Sequence, residues 1–355
     1  MINITRGNLL ESPAEALVNT VNTVGVMGKG IALQFKNAFP ENFKVYKSVC
    51  DQRGFTTGQM LVVECRTLEG LKIIINFPTK RHWKGQSRME DVESGLKALV
   101  KEVRDRGIRS IAIPPLGCGL GGLPWQEVRA RIEKAFSELP DVEVTLYEPA
   151  GAPAPERMVN RTETPRMTQG RAAVIGLISR YKVPGYEYLL SLLEIHKLAY
   201  FLVESGENIP KLEFAKAKYG PYADNLRKAL RDMEGHFTEG FGDGSSNNPE
   251  TPMKLLPGAV EKAEAFLDQH PDTRDRFLRV ADLIEGFETP FGMELLATVH
   301  WVVNKENAKT SEEVITKIHT WNDRKRQFSD RQIRIALGVL GRKGWLPMPI
   351  PADLV

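Results

Sequence analysis

Cysteine is scarce in this chain: Cys50, Cys65 and Cys118 are the only three in 355 residues. An odd number with no C-x-x-C pair excludes a disulfide framework and a cysteine-rich zinc site, and it points to reduced thiols and a cytoplasmic location. Long apolar runs are also missing. No stretch approaches the ~20 residues that a bilayer-spanning helix needs, and Met1-Ile2-Asn3-Ile4 opens a strand rather than a basic, apolar leader, so no membrane association is expected. The six histidines, His82, His196, His236, His270, His300 and His319, form no i, i+4 pair and have no carboxylate at ligand spacing, so neither a metal nor another cofactor is expected. Charge of one sign is likewise in short supply. Residues 1–150 carry 20 Lys and Arg against 17 Asp and Glu, and the remainder 28 against 28, for a net charge of +3. This excludes a general nucleic-acid binder but permits a cationic rim.

What the chain does have is glycine in two informative places. Asn19-Thr20-Val21-Asn22-Thr23-Val24-Gly25-Val26-Met27-Gly28-Lys29-Gly30 follows a short apolar segment and runs into the helical pattern Ile31-Ala32-Leu33-Gln34-Phe35. Strand, glycine loop and helix start form a phosphate cradle, because glycine lets backbone approach and the first helical N–H groups carry partial positive charge. A Walker A loop needs Ser or Thr after Gly28-Lys29, and a dinucleotide fingerprint needs a different glycine spacing, so both are set aside. A second such loop, Pro115-Leu116-Gly117-Cys118-Gly119-Leu120-Gly121-Gly122-Leu123-Pro124, follows the apolar strand at 110–114 and enters a helix at Trp125. Two loops at two strand ends imply one long ligand with a diphosphate, lying across the crest of a sheet.

Periodicity supports an α/β unit. Residues 16–19, 60–64, 71–77, 109–114 and 142–147 read as strands, and 30–39, 42–53, 90–106 and 125–139 as helices, which predicts a mixed sheet between helical layers in a three-layer α/β/α arrangement. Pro149-Ala150-Gly151-Ala152-Pro153-Ala154-Pro155 then starts a linker over 151–171. Beyond it, 172–355 reads as a mostly helical second domain, with helices at 186–202, 223–233, 259–269, 272–287, 293–304, 311–321 and 330–341, and a glycine-rich loop at 234–248.

The loop residues carry a resemblance. Asn19-Thr20-Val21-Asn22 with Gly28-Lys29-Gly30-Ile31-Ala32, Leu116-Gly117-Cys118-Gly119-Leu120, and the opening Ile2-Asn3-Ile4-Thr5-Arg6-Gly7-Asn8-Leu9-Leu10 resemble the macrodomains, which bind ADP-ribose; the likeness covers residues 1–150. Val24-Gly25-Val26-Met27-Gly28-Lys29-Gly30 and Ile73-Ile74-Ile75-Asn76-Phe77-Pro78-Thr79-Lys80 are similar to the DarG antitoxins of DarT–DarG toxin–antitoxin systems, and to the terminal ADP-ribose glycohydrolase class. The resemblance implies removal of ADP-ribose from a DNA base, with thymidine in single-stranded DNA favoured over guanine, and places the chemistry on Lys80. An amine at Lys80 either attacks the anomeric carbon or, as an ammonium, protonates the departing base; both routes remain open at this stage. Related enzymes pair the lysine with an aspartate where this chain has Gly121, so Lys80 is expected to act without it.

The same resemblance implies ADP-ribose contacts from Asn8 and Leu9 on the adenine side and from Asn22 and Thr23 near the distal ribose. Gly28, Lys29, Gly30 and Ile31 would hold phosphate from the first loop, and Gly117, Cys118, Gly119, Leu120 and Gly121 from the second. Tyr147, at a strand end, is a candidate to stack on adenine. His82 and Trp83, beside Lys80, are candidate DNA contacts, since an indole stacks on a base. Three of these have a plainer reading: turn-building for Asn22, rim packing for Tyr147, a solvated charge for Lys80. In the second domain, Lys197-Leu198-Ala199-Tyr200-Phe201 and Tyr219-Gly220-Pro221-Tyr222 resemble the Panacea antitoxin domain. That implies a second activity, binding of a cognate DarT-type toxin, with Glu239, Asp243, Tyr219 and Tyr222 as candidate contacts. The competing reading is a non-catalytic ADP-ribose reader fused to an interaction domain.

Overall fold

The computed structural model describes residues 1–67, 70–181, 190–246 and 248–347. It divides into two compact units: Met1–Glu163 with Gly242–Ser245, and Thr164–Phe241 with the chain from Ser246 onward.

In the first unit the strands are β1 (Ile2–Thr5), β2 (Ala16–Asn22), β3 (Leu61–Thr67), β4 (Gly70–Lys80), β5 (Ser110–Ile113) and β6 (Glu143–Tyr147). The helices are α1 (Gly30–Ala38), α2 (Pro40–Asp51), α3 (Met89–Asp105) and α4 (Trp125–Phe136). The sheet order is β1-β6-β5-β2-β4-β3, parallel except for β3, which runs antiparallel to β4. Its inner strands are buried on both faces, which is why they read as unbroken apolar runs rather than as alternating ones. Ala16, Val18, Ile75 and Phe77 pack beneath α3 and α4, while Leu17 and Ile74 face α1 with Phe35 and Ala38. The three-layer mixed sheet is the expected one.

Two close fits hold the layers. A side chain added at Gly95 of α3 would place its Cβ 2.3 Å from Cζ of Phe77, far inside the closest approach of non-bonded carbons, so glycine is what lets α3 sit this near β4. Beneath β2 and β4, Asn19 Nδ2 donates to Asn76 Oδ1 (2.9 Å) and Asn42 and Asn76 exchange hydrogen bonds (2.7 and 3.2 Å), a fully buried amide network of the kind that fixes one packing.

The second unit is built on α5 (Gln169–Arg180), α6 (Leu192–Glu204), α7 (Leu226–Met233), α8 (Ala259–Asp268), α9 (Pro271–Ile284), α10 (Pro290–Asn304), α11 (Ser311–His319) and α12 (Asp330–Arg342). Two small hairpins join them, β7 (Ala215–Ala217) with β8 (Gly220–Tyr222), and β9 (Thr238–Glu239) with β10 (Lys254–Leu255). Helix α5 starts at the Thr168 cap inside the stretch read as linker, and Ala172, Ala173, Ile175 and Leu177 bury in the helical core. The helix expected at 186–202 is seen from Leu192, where Ser191 and Glu194 form a capping box; positions 186–189 lie outside the described residues. No helix of the described residues is long and apolar enough to cross a membrane.

Candidate functional site

The site is assembled at the carboxyl ends of β2, β4 and β5, the open edge where parallel sheets present loops. Strand β2 pairs with β4 along its length, with one register shift at Val21/Asn22 that brings Asn22 opposite Lys80. The two residues named independently from two distant segments are therefore side by side. Lys80 is partly exposed, and its Nζ donates to the carbonyl of Leu120 in the second glycine loop (2.6 Å). Burial lowers its pKa from the ordinary lysine range. The neighbouring cations Arg81 and Lys84 are not the cause, since both are engaged elsewhere. Arg81 forks onto Asp91 (2.9 and 3.2 Å), and Lys84 lies over the Trp83 ring at 5.0 Å.

The first loop is shaped by Asn22 itself. Its Oδ1 accepts from the N–H of Val24 and Val26 (3.0 and 3.3 Å), its Nδ2 donates to the Val26 carbonyl (2.5 Å), and Tyr46 Oη donates to its backbone carbonyl (2.7 Å). Asn22 is thus a loop-builder here, nearly buried under the turn it forms. Thr23 Oγ1 donates to the Arg81 carbonyl (2.7 Å), tying this loop to the end of β4. Gly28 and Ile31 are partly buried, Lys29 is exposed, and Gly30 opens α1 at φ 61°, where a side chain would be strained. The Gly30 N–H donates to the carbonyl of Asp243 (3.1 Å), whose carboxylate accepts from Gln34 Nε2 (2.7 Å). Asp243, a candidate toxin contact on the glycine-rich loop, is buried in this unit, and Glu239 is paired within a hairpin; neither is a free surface acid.

The second loop is narrower than the sequence shows. A side chain at Gly117 would stand 2.9 Å from Leu123 and Ser87, and one at Gly121 would stand 2.2 Å from Ser87 Oγ and 2.3 Å from the Gly117 carbonyl. Gly119, by contrast, is open, and Leu120 projects 63% exposed beside Lys80. Cys118 Sγ faces the Leu116 carbonyl (3.5 Å), and burial pushes its thiol up to about 11, so it is not a thiolate nucleophile at neutral pH. Ser87, which carried no sequence signal, backs this loop: its N–H donates to the Gly121 carbonyl (3.0 Å), and its buried Oγ has no hydrogen-bond partner among the described residues.

The remaining expected contacts spread outward. Asn8, nearly buried, caps a 3-10 turn at Leu9–Glu11, with Oδ1 accepting from the Leu10 N–H (3.1 Å) and Nδ2 donating to Glu11 and to the Arg157 carbonyl (3.2 Å each). Leu9 is core, and Tyr147 packs partly buried beside it at the end of β6. His82 and Trp83 are exposed at the rim, their rings stacked at 5.5 Å. Among the described residues no group of three or more His, Cys, Asp or Glu is placed to hold a metal ion.

This sheet order with two glycine loops at one open edge is that of a macrodomain, and the Macro domain family model matches residues 18–132. A DNA ADP-ribosyl glycohydrolase of Thermus aquaticus is 46% identical over all of this chain and 99% of its own length. The macrodomain of Mycobacterium tuberculosis DarG, a solved structure, is 50% identical over 42% of this chain and 99% of that one, with a TM-score of 0.42. A Thermosipho africanus DNA ADP-ribosyl transferase–DNA ADP-ribosyl glycohydrolase fusion protein is 34% identical over 42% of each chain. On the full-length match, the chain belongs to the DarG family of DNA ADP-ribosyl glycohydrolases.

Proposed function

We propose that this enzyme removes ADP-ribose from thymidine in single-stranded DNA, using Lys80 as the reacting amine. The observation that carries the reading is the placement of Lys80: in register with Asn22 at the end of β4 and bonded to the second glycine loop at Leu120. A diphosphate spanning both loops would bring the distal ribose to this point. Burial lowers the Lys80 pKa, which enriches the free amine. Attack of Nζ on the anomeric carbon would break the bond to the base nitrogen, which takes up a proton; the opened sugar forms a Schiff base, and water then releases ADP-ribose and restores the amine. No aspartate is needed from position 121, where the loop has no room for one.

The remaining ligand assignments belong to the same proposal. Gly28, Lys29, Gly30, Ile31 and residues 117–121 would supply backbone N–H groups to phosphate. Asn22 and Thr23 would border the distal ribose, Asn8, Leu9 and Tyr147 the adenine, and His82 and Trp83 the DNA strand. The helical unit is proposed to bind a cognate DNA ADP-ribosyltransferase toxin; the fusion of the two activities in the Thermosipho relative supports such a partner. Oligonucleotides carrying ADP-ribose on thymine or on guanine decide the substrate: release from the thymine adduct is expected, while release from the guanine adduct alone would reassign it.

A further inference from the structure

A cavity of about 220 Å³ lies within the helical unit, away from the glycine loops. One wall is helix α6, where Leu192, Leu193, His196 and Lys197 recur at the i, i+4 spacing that puts side chains on one face. The opposite wall is the β7–β8 hairpin with Tyr219 and Tyr222, and Arg227 of α7 closes the rim. Gly220, at φ 90°, lets the hairpin approach: a side chain there would stand 3.0 Å from Thr298 Oγ1.

Two features of this cavity are unfinished. His196 is 2% exposed and stacks on Tyr222 at 4.4 Å, yet neither ring nitrogen has a hydrogen-bond partner among the described residues. Buried polar groups are normally paired, so an imidazole with two buried, unpaired nitrogens calls for a partner. Burial holds it neutral, its pKa down to about 3, so it offers one donor and one acceptor. Lys197 is fully buried and, among the described residues, donates only to the Pro221 carbonyl (2.7 Å); the nearby carboxylate, Glu294, is taken by Lys325 (2.7 Å) and Arg324 (3.0 Å). Among the described residues Lys197 thus has no counter-ion of its own, and none of those lining the cavity is acidic. Burial, with Lys325 beside it, lowers the Lys197 pKa to about 7, and a bound anion would hold it protonated.

We propose that this cavity is a binding site for a small, flat heterocyclic anion, its ring edge on His196 between apolar and tyrosine walls and its charge on Lys197 and Arg227. The volume holds about seven waters at ~30 Å³ each, enough for one such ring with its anionic group. A carboxylate and a phosphate satisfy the same chemistry, so the test uses both: calorimetry of the full-length protein at pH 7 with orotate and, separately, with uridine 5′-monophosphate. At least one probe is expected to bind saturably at one site in this unit. Its affinity should fall tenfold or more in both His196→Phe and Arg227→Gln, and stay unchanged in Lys80→Ala. Because His196 is buried, thermal melting checks each variant; if His196→Phe does not fold, Arg227→Gln, on a partly exposed first helical turn, decides alone. Absence of saturable binding by both probes, or binding that survives either substitution in a folded protein, overturns the proposal.

Discussion

Gly121 is the residue at which chemistry and packing meet most plainly. Its missing side chain is what allows the second loop to close over Ser87 and the Gly117 carbonyl. Gly121→Asp, which restores the aspartate of related enzymes on paper, should therefore lower the melting temperature and reduce turnover rather than raise it. Overpacking of this kind costs about 1–3 kcal/mol. A thermal melt with a turnover assay checks it: an active, equally stable Gly121→Asp would show that the loop yields freely. Asn22→Ala should also lose stability, because it frees the Val24 and Val26 N–H groups and the Val26 carbonyl that shape the first loop. The sequence made Asn22 a sugar ligand first and a turn-builder second; the structure shows how completely the turn uses its amide.

At the scale of elements, the α/β half was legible because its strands are continuous apolar runs and its loops are punctuated by glycine. What was not legible depends on contacts far apart in the chain. Helix α5 hid because its sequence, rich in Ala and Gly beside a proline-rich stretch, has no polar face: it is buried on nearly all sides. The short hairpins of two or three residues per strand leave no period to read. Ser87 under the second loop, and the acid buried at the start of α1, have no local signature at all. One element-level fit is directly testable. Gly95→Ala brings a methyl against Phe77, three residues before Lys80, and the strain should outweigh the ~1 kcal/mol that Ala gains over Gly in a helix. Lower thermal stability with impaired release of ADP-ribose is expected; a stabilised, fully active variant would mean α3 can withdraw at no cost.

For the whole molecule, acid should act through the helical half. Burial drives the pKa of His196 and of His300 down to about 3, so both are neutral when folded and take up protons when unfolded. Their contribution is complete above the ordinary histidine pKa near 6.5 and is lost as pH falls toward 3, at up to about 1.4 kcal/mol per pH unit for each. Unfolding by denaturant between pH 7 and pH 5 should show the falling stability, with a shallower slope in His300→Gln; a flat profile would contradict the buried neutral assignment. The division after Glu163 also sets how the toxin-binding proposal is tried: a fragment begun at residue 172 removes the Thr168 cap and the first turn of α5, whereas one begun at 164 keeps the helix whole. That fragment, if it folds, should bind the cognate transferase and block DNA modification without Lys80.

Lys80 is proposed to perform the chemistry while the two glycine loops hold the ligand. Lys80→Ala should bind free ADP-ribose within about tenfold of the unaltered enzyme, since a group acting in the transition state contributes little to ground-state affinity. Reductive trapping of the unaltered enzyme on modified DNA should mark Lys80 as the adduct. The decisive measurement is release of ADP-ribose from a thymidine-modified oligonucleotide by Lys80→Ala: release should be abolished with binding retained, and release at the unaltered rate would place the chemistry on another residue.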